Sequence, residues 1–296
     1  MNNDSNTRPE DCLFISDLDG TLLDPSGSIS QNSIQRLNRL IDCGMQFTIA
    51  TARSHESAFA ILEGLKLKVP AVLFNGVFLT DFSSGKDIIA SAFIEQSIVS
   101  DMLQCVRPLE LDPFIYTVSD QHRLYYRNPS NAGSQAYFES LKGDVRLKYT
   151  ADFDIASEEK ISGFLLIADQ KTLEPVYVEL KAKHPDDLSL YFAQDISNPD
   201  FYWLQTYNKE ATKGRMVTKL AAHEQIPLER VVVFGDYLND LDMFRIAGKA
   251  VAMGNALPEV KAAAHEVIGN NADLAVINYL ESLPWAKSPL SKALSD

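Results

Sequence analysis

Two acidic clusters stand out in this sequence as groups that could do chemistry together. The first is Asp17-Leu18-Asp19-Gly20-Thr21-Leu22, which directly follows a short apolar run ending at Ser16. Side chains alternate along a strand with a period of two, so carboxylates two residues apart at its end can point the same way. One can attack while the other handles a proton, and Gly20 permits the tight backbone departure that clears space above Asp17. Read alone, the same residues also suit an Asp-rich turn that caps a helix. The second cluster, Gly235-Asp236-Tyr237-Leu238-Asn239-Asp240, follows the run Val231 to Phe234. Alone it also reads as a polar turn before a helix. Two such clusters on one sheet edge repel each other unless a cation lies between them. Oxygen-only donors without clustered His or Cys suit Mg²⁺, which takes one or two carboxylates and keeps several waters.

Two further segments join them. Ala50-Thr51-Ala52-Arg53 closes another apolar run, where the Thr51 hydroxyl and nearby N–H groups could bind a phosphate oxygen at a helix N-terminus; a simple helix cap is the bland alternative. Lys213 opens an apparent helix, Gly214 to His223, although a lysine in the first turn opposes the helix dipole. A solvated lysine would be better placed at the other end, which suggests a task for this one.

The elements that must position these groups follow from hydrophobic periodicity. Apolar runs at Cys12 to Ser16, Met45 to Ala50 and Ala71 to Phe74 read as strands, and the last ends in the turn dipeptide Asn75-Gly76. A helix capped by Ser30, carrying Ile34, Leu37, Leu40 and Ile41 and closed by Gly44, separates the first two. Another, with Ala58, Ile61, Leu62 and Leu65, follows the second. The alternation returns at Val231 to Phe234 (strand), Leu241 to Ala247 (helix), Ala250 to Met253 (strand), a helix after Pro258, and a closing strand at Glu266 to Ile268. This is the pattern of a parallel sheet with crossover helices, whose ligands bind beyond the strands' carboxyl ends. The intervening segment has a different character. Strands are expected at Ile88 to Phe93, Phe114 to Val118, Leu124 to Arg127, Ile161 to Ala168 and Leu188 to Ala193, with helices around Ala136 to Leu141 and Thr172 to His184. It reads as an α+β domain, residues 81–195, inserted between core segments 1–80 and 196–296.

Composition narrows the partners. The chain has 296 residues, 46% of them hydrophobic, and no apolar run long enough to span a membrane. With 27 basic against 40 acidic residues the formal charge is −13, which disfavours nucleic acid and requires a phosphate ester to be captured by local positive groups or a metal. Cys12, Cys43 and Cys105 are widely spaced and read as reduced thiols. The polar lead Met1 to Glu10 lacks a secretory pattern and is expected to be disordered, which places the protein in the cytoplasm. Oligomeric state is not legible.

Taken together with Asn75-Gly76 and Ala252-Met253-Gly254-Asn255-Ala256, these motifs resemble the haloacid dehalogenase superfamily. Within it they resemble the Cof-type phosphatases, which carry a large cap inserted between the second and third motifs. The resemblance covers both ends of the chain. It implies a Rossmann-like parallel-sheet core with an inserted α+β cap domain of the C2B type. It also implies Mg²⁺-dependent hydrolysis of a small phosphorylated metabolite, a sugar phosphate or similar phosphomonoester, through an aspartyl-phosphate. Asp17 then looks like the nucleophile and Asp19 like the general acid and base. Asp17 and Asp236 would bind Mg²⁺ by carboxylate and Asp19 by its carbonyl, with Asp240 holding the site from the side. Thr51, Ala52, Lys213 and Asn239 would bind the phosphate, and Arg53, Asn75 and Gly76 are candidates to touch substrate. The sequence departs from the family where Ala52 stands in place of a common Gly, and where Gly-Val-Ser is missing before the lysine, which makes Lys209 a competitor of Lys213. In the insert, His122, Arg123, Arg127 and Lys160 offer themselves without distinction. A phosphomutase of the phosphomannomutase kind and a non-catalytic phosphometabolite sensor are the competing readings. The four acidic and basic positions retained at Asp17, Asp19, Lys213 and Asp236 weigh against the sensor.

Overall fold

The structure, a computed structural model, describes residues 11–195 and 198–287. The polar lead expected at residues 1–10 lies outside them. Two compact units divide the chain, one running to Ser91 and resuming at Thr212, the other formed by Ala92–Ala211.

The first unit begins with β1 (Leu13–Ser16), α1 (Gln31–Asp42), β2 (Gln46–Ile49), α2 (His55–Ile61), β3 (Ala71–Leu73), β4 (Phe78–Asp81) and β5 (Lys86–Ala90). The second contains α3 (Gln96–Val106), β6 (Phe114–Val118), β7 (His122–Tyr126), α4 (Ala132–Ser140), β8 (Leu147–Tyr149), β9 (Lys160–Ala168), α5 (Gln170–Lys183), β10 (Leu188–Gln194) and β11 (Tyr202–Asn208). Returning to the first, the chain forms α6 (Lys213–His223), β12 (Val231–Gly235), α7 (Leu241–Ile246), β13 (Lys249–Ala252), α8 (Pro258–Ala263), β14 (Glu266–Val267) and α9 (Ala275–Ser282).

The five-stranded sheet of the first unit has the order β14-β13-β12-β1-β2, and every pair in it is parallel. β1 lies inside it, between β12 and β2, and all four of its residues are buried, because helices cover both faces of such a sheet and leave no polar side. α1 shows how its helices form. The Ser30 hydroxyl accepts the Ser33 N–H at 3.1 Å, Ile34, Leu37, Leu40 and Ile41 are buried along one face, and Gly44 turns the chain at φ +99°. The helix after β2 ends at Ile61, earlier than its apolar spacing suggests, and Leu65 is buried from the loop beyond it, next to Gly64 at φ +88°. β3, β4 and β5 make a separate antiparallel sheet, joined to the end of β2 by a parallel bridge between Ala50 and Val72.

The second unit is a six-stranded sheet in the order β10-β11-β9-β6-β7-β8, antiparallel except for the β7/β8 pair. α3 and α5 bury Met102, Leu173 and Leu180 against Phe164, Leu166 and Leu204, while Tyr137 and Phe138 of α4 pack with Phe114, Leu165 and Ile167. The units divide at 91/92 and 211/212, not at 81 and 195. β5, expected in the insert at Ile88 to Phe93, pairs with β4 and so belongs to the first unit, and β11, where the sequence reading placed no strand and which it counted with core segment 196–296, is the neighbour of β9 and β10. No helix among the described residues is long and apolar enough to cross a membrane.

Removing the α1 cap with Ser30→Ala is expected to destabilise the first unit by about 1 kcal/mol, read as a fall in the urea midpoint without a change in slope.

Candidate active site

The carboxyl ends of β1, β2 and β12 bring the two acidic clusters and the threonine loop together. Asp17 extends β1 by one residue, its N–H bonded to Phe234 O on β12 at 3.0 Å, and its side chain is buried. Its Oδ1 accepts the Leu18 N–H at 2.7 Å and lies 2.9 Å from Lys213 Nζ. Oδ2 takes no hydrogen bond from the described residues. Lys213 has no exposed surface. Its ammonium also donates to Asp240 Oδ1 at 2.7 Å, and Asp240 Oδ2 accepts the N–H groups of Asp236 and Tyr237 at 2.9 and 3.0 Å. Both Asp240 oxygens are therefore engaged, and this residue braces the loop that presents Asp236. The Thr21 hydroxyl in turn donates to Asp236 Oδ1 at 2.7 Å.

Close approach explains why the chain after Asp17 needs glycine. Gly20 has φ +73°, and a Cβ there would lie 2.3 Å from Asp236 Oδ2. Asn255, in the stretch after β13, donates to the Gly20 carbonyl at 2.7 Å and fixes the same turn. A second strained turn follows β3, where Phe74, Asn75 and Gly76 take φ of 52°, 51° and 94° in succession. A Cβ on Gly76 would fall 2.1 Å from the Thr212 carbonyl, so this turn is pressed against the residue that caps the Lys213 helix. Non-glycine residues in this region cost of order 1–3 kcal/mol and tend to occur where a site requires them. Asn75 also donates its N–H to Thr51 O at 2.9 Å and accepts from Asn239 Nδ2 at 2.9 Å. The side-chain amide nitrogen of Asn75 and the amide oxygen of Asn239 are left buried without a partner among the described residues at that seam.

Thr51 is buried and accepts the Arg53 N–H on its hydroxyl at 3.2 Å, which leaves its own O–H free to donate. The N–H of Ala52 is bonded to no described group. Arg53 forms a two-pronged ion pair with Asp19, Nε to Oδ2 at 2.8 Å and Nη2 to Oδ1 at 2.6 Å. The competitor Lys209 is bonded to the Pro185 carbonyl and Asp186 within the second unit, whereas Lys213 reaches the nucleophile candidate. Of the insert's cationic candidates, Arg123 pairs with Glu159 and Asp120, Arg127 pairs with Asp112, and Lys160 lies over the Phe93 ring.

The electrostatics follow from counting charges. Carboxylate oxygens of Asp17, Asp236 and Asp240 all lie within 4.8 Å of one another, against the single ammonium of Lys213. At that separation each carboxylate pair repels by about 3 kcal/mol for an effective dielectric constant of about 20. Burial, then Asp240, raises the Asp236 pKa to about 7; burial first, then the neighbouring carboxylates, raises that of Asp17, with Lys213 opposing. Burial alone would lower the lysine, but Asp17 and Asp240 outweigh it and hold Lys213 charged. Three carboxylates and one ammonium leave two negative charges, all on hard oxygen donors, which is the charge and donor type that a small dication matches. The cluster can hold such an ion.

A model of the haloacid dehalogenase-like hydrolases matches residues 14–280. The chain belongs to that family. Among its relatives is the pyridoxal phosphate phosphatase YbhA of Escherichia coli, 27% identical over 279 residues that cover 90% of this chain and 96% of that protein. The 5-amino-6-(5-phospho-D-ribitylamino)uracil phosphatase YitU of Bacillus subtilis is 25% identical, over 91% of this chain and 96% of its own. A solved haloacid dehalogenase-like hydrolase from Bacteroides thetaiotaomicron superposes with a TM-score of 0.74 at 25% identity, over 91% of this chain and 98% of that one.

Residues without an assigned part in the sequence reading also belong to the site. Thr21 and Asn255 lay inside the motifs, so their position was visible even though their partners were not. Asn271, which donates its side chain to Leu23 O at 2.9 Å and its N–H to Asn255 Oδ1, carried no local signal.

With metal chelated, the raised Asp236 group gives a definite pH trend. Its folded pKa near 7 exceeds the unfolded value of about 3.9, so its contribution to stability is full below about pH 4 and is lost as pH rises through 7. Thermal denaturation in chelator is expected to show Asp236→Asn gaining stability relative to wild type between pH 4 and pH 8; equal slopes for the two proteins would refute the assignment.

Proposed function

We propose that this protein is a Mg²⁺-dependent phosphomonoesterase that acts on a small phosphorylated metabolite through an aspartyl-phosphate on Asp17. The observation that carries the reading is the buried ammonium of Lys213, held between Asp17 and Asp240 at 2.9 and 2.7 Å beside the Asp236 carboxylate. A lysine so placed neutralises part of a carboxylate cluster and keeps one of its three N–H donors for an incoming anion. Phosphatase relatives that align along nearly the full chain support the same reaction class.

In this mechanism a carboxylate oxygen of Asp17 attacks phosphorus while Lys213, the Thr51 hydroxyl and the Ala52 N–H hold the non-transferring oxygens, with Asn239 at the rim. Positioning and charge stabilisation supply most of the catalysis in phosphoryl transfer. The bond to the ester oxygen breaks, and Asp19 gives that oxygen a proton. Asp19 then takes a proton from the water that attacks the aspartyl-phosphate, releasing inorganic phosphate and restoring Asp17. Mg²⁺ would be held by the Asp17 and Asp236 carboxylates and the Asp19 carbonyl, with Asp240 behind them, and supplies a Lewis acid for the phosphoryl oxygens. The dication also offsets the two excess charges of the cluster.

Phosphate release from a panel of phosphomonoesters is expected in Mg²⁺, to vanish in chelator and to fall by at least ~10³-fold in Asp17→Asn, since that variant removes the nucleophile. Turnover that appears only with a bisphosphate activator and returns phosphate to a sugar would replace this reading with a phosphomutase.

Mg²⁺ itself is expected to raise the melting temperature of wild type, with less effect on Asp236→Asn, because a ligand that binds the folded state stabilises it by mass action. An equal rise in both would place the ion elsewhere.

A further inference from the structure

We propose that Arg53 is a positioning residue for Asp19, fixing the plane of the carboxyl group that exchanges protons with the leaving oxygen and with water. The proposal rests on the phosphomonoesterase reading. Its ground is the two-pronged contact, in which the Nε and Nη2 donors of one guanidinium meet the two oxygens of one carboxylate at 2.8 and 2.6 Å. Among the described residues no other side chain bonds the Asp19 carboxylate.

Arg53 is itself held, side chain and backbone. Nη1 donates to Ser57 Oγ on α2 at 3.1 Å, the Arg53 N–H donates to the Thr51 hydroxyl, and the Arg53 carbonyl accepts the Phe74 N–H at 3.1 Å. A continuous chain of bonds thus runs from α2 through Arg53 to Asp19. Asp19 needs such a strut because its surroundings supply none. Its side chain is 37% exposed, and the following Gly20 is held at φ +73° by the demands of Asp236 and gives the carboxylate no packing surface. Without the fork the carboxylate would sample its rotamers freely, and an acid that points away from the ester oxygen for most of the time transfers protons poorly.

The contact is compatible with proton exchange. A carboxylate offers about four lone-pair positions, and a guanidinium fork occupies about two of them, so about two remain, enough to carry the exchanged proton. In the first half-reaction an Asp17 oxygen bonds to phosphorus as the bond between phosphorus and the ester oxygen breaks. The electron pair goes to the ester oxygen and the proton on Asp19 follows it, giving a neutral alcohol. In the second, a water oxygen bonds to phosphorus, its proton passes to Asp19, and the Asp17–phosphorus bond breaks. Arg53 acts in both steps through Asp19 alone, with no bond to the phosphoryl group, the ester oxygen or the water. A partly exposed ion pair contributes modestly to stability, so its variants should fold.

The test uses two esters that differ in how much they need the acid. p-Nitrophenyl phosphate leaves as a stable phenolate, whereas n-propyl phosphate leaves as an alcohol only if its oxygen is protonated. Because kcat/KM reports the steps through aspartyl-phosphate formation, it isolates the first proton transfer. Arg53→Ala is expected to lower kcat/KM for the propyl ester by about 100-fold and for the nitrophenyl ester by less than about 5-fold, in keeping with the usual worth of a positioned acid. Arg53→Lys, which keeps the charge and loses the fork, should show the same split, because a point charge does not fix a carboxyl plane. In an Asp19→Asn background, adding Arg53→Ala should change the propyl ester rate by less than about 3-fold, since both changes remove one function. Equal losses on the two esters, or a full further loss in the Asp19→Asn background, would overturn the proposal and make Arg53 a direct substrate contact. Wild-type protein that releases phosphate from neither ester would instead remove the phosphomonoesterase reading, and this proposal with it.

Discussion

Lys213 is buried without exposed surface between two carboxylates, and much of the first unit serves to keep it there. A charged amine in an interior is tolerated only when it is paired and hydrogen-bonded. Asp17 and Asp240 supply the pairing, and both are set by the central strands, one at the end of β1 and the other in the loop after β12. The Asp240 carboxylate is in turn fixed by two backbone N–H groups, so the lysine inherits the rigidity of the loop. Three of the site's four segments are thus joined through one ammonium. The fourth, at Thr51, is tied in by the Asn75 turn, which meets Thr51 on one side and the cap of the Lys213 helix on the other.

The site combines over-determination with unresolved charge. Its backbone is held in conformations that are uncomfortable on their own, as at Phe74 and Asn75, and its carboxylates outnumber the cation among them. Neither condition helps a chain to fold. Each is consistent with a surface shaped for something it does not itself contain, since strain and raised acid pKa values concentrate where binding and catalysis occur.

How far the sequence disclosed this depends on range. The parallel sheet and the acidic clusters were legible because a buried strand is a continuous apolar run and the residues at its end are its immediate neighbours in the chain. Ser30 as a cap and Gly44 as a stop were legible for the same reason. Thr21 donating to Asp236 was not, because its partner lies 215 positions away. The fork between Arg53 and Asp19 was hidden likewise, and Arg53 could be read only as a residue near substrate. The division into units failed at its edges for another reason. β5 and β11 are ordinary strands whose side-chain pattern suits either sheet, and only their hydrogen-bonding partners, β4 for one and β9 with β10 for the other, decide which unit they join.

The position of β1 between β2 and β12 has a consequence for biosynthesis. β1 pairs on one side with β2, made soon afterwards, and on the other with β12, which the ribosome delivers only after the whole of Ala92–Ala211. Throughout that interval a short, largely apolar strand keeps one edge open, and open edges of this kind invite pairing with other chains. The intervening unit has a closed set of strand partners of its own and can complete its sheet while the first unit waits. The nucleophile candidate is therefore synthesised well before it acquires its surroundings, and a chain arrested before α6 would carry Asp17 with neither Lys213's helix nor Asp236's loop.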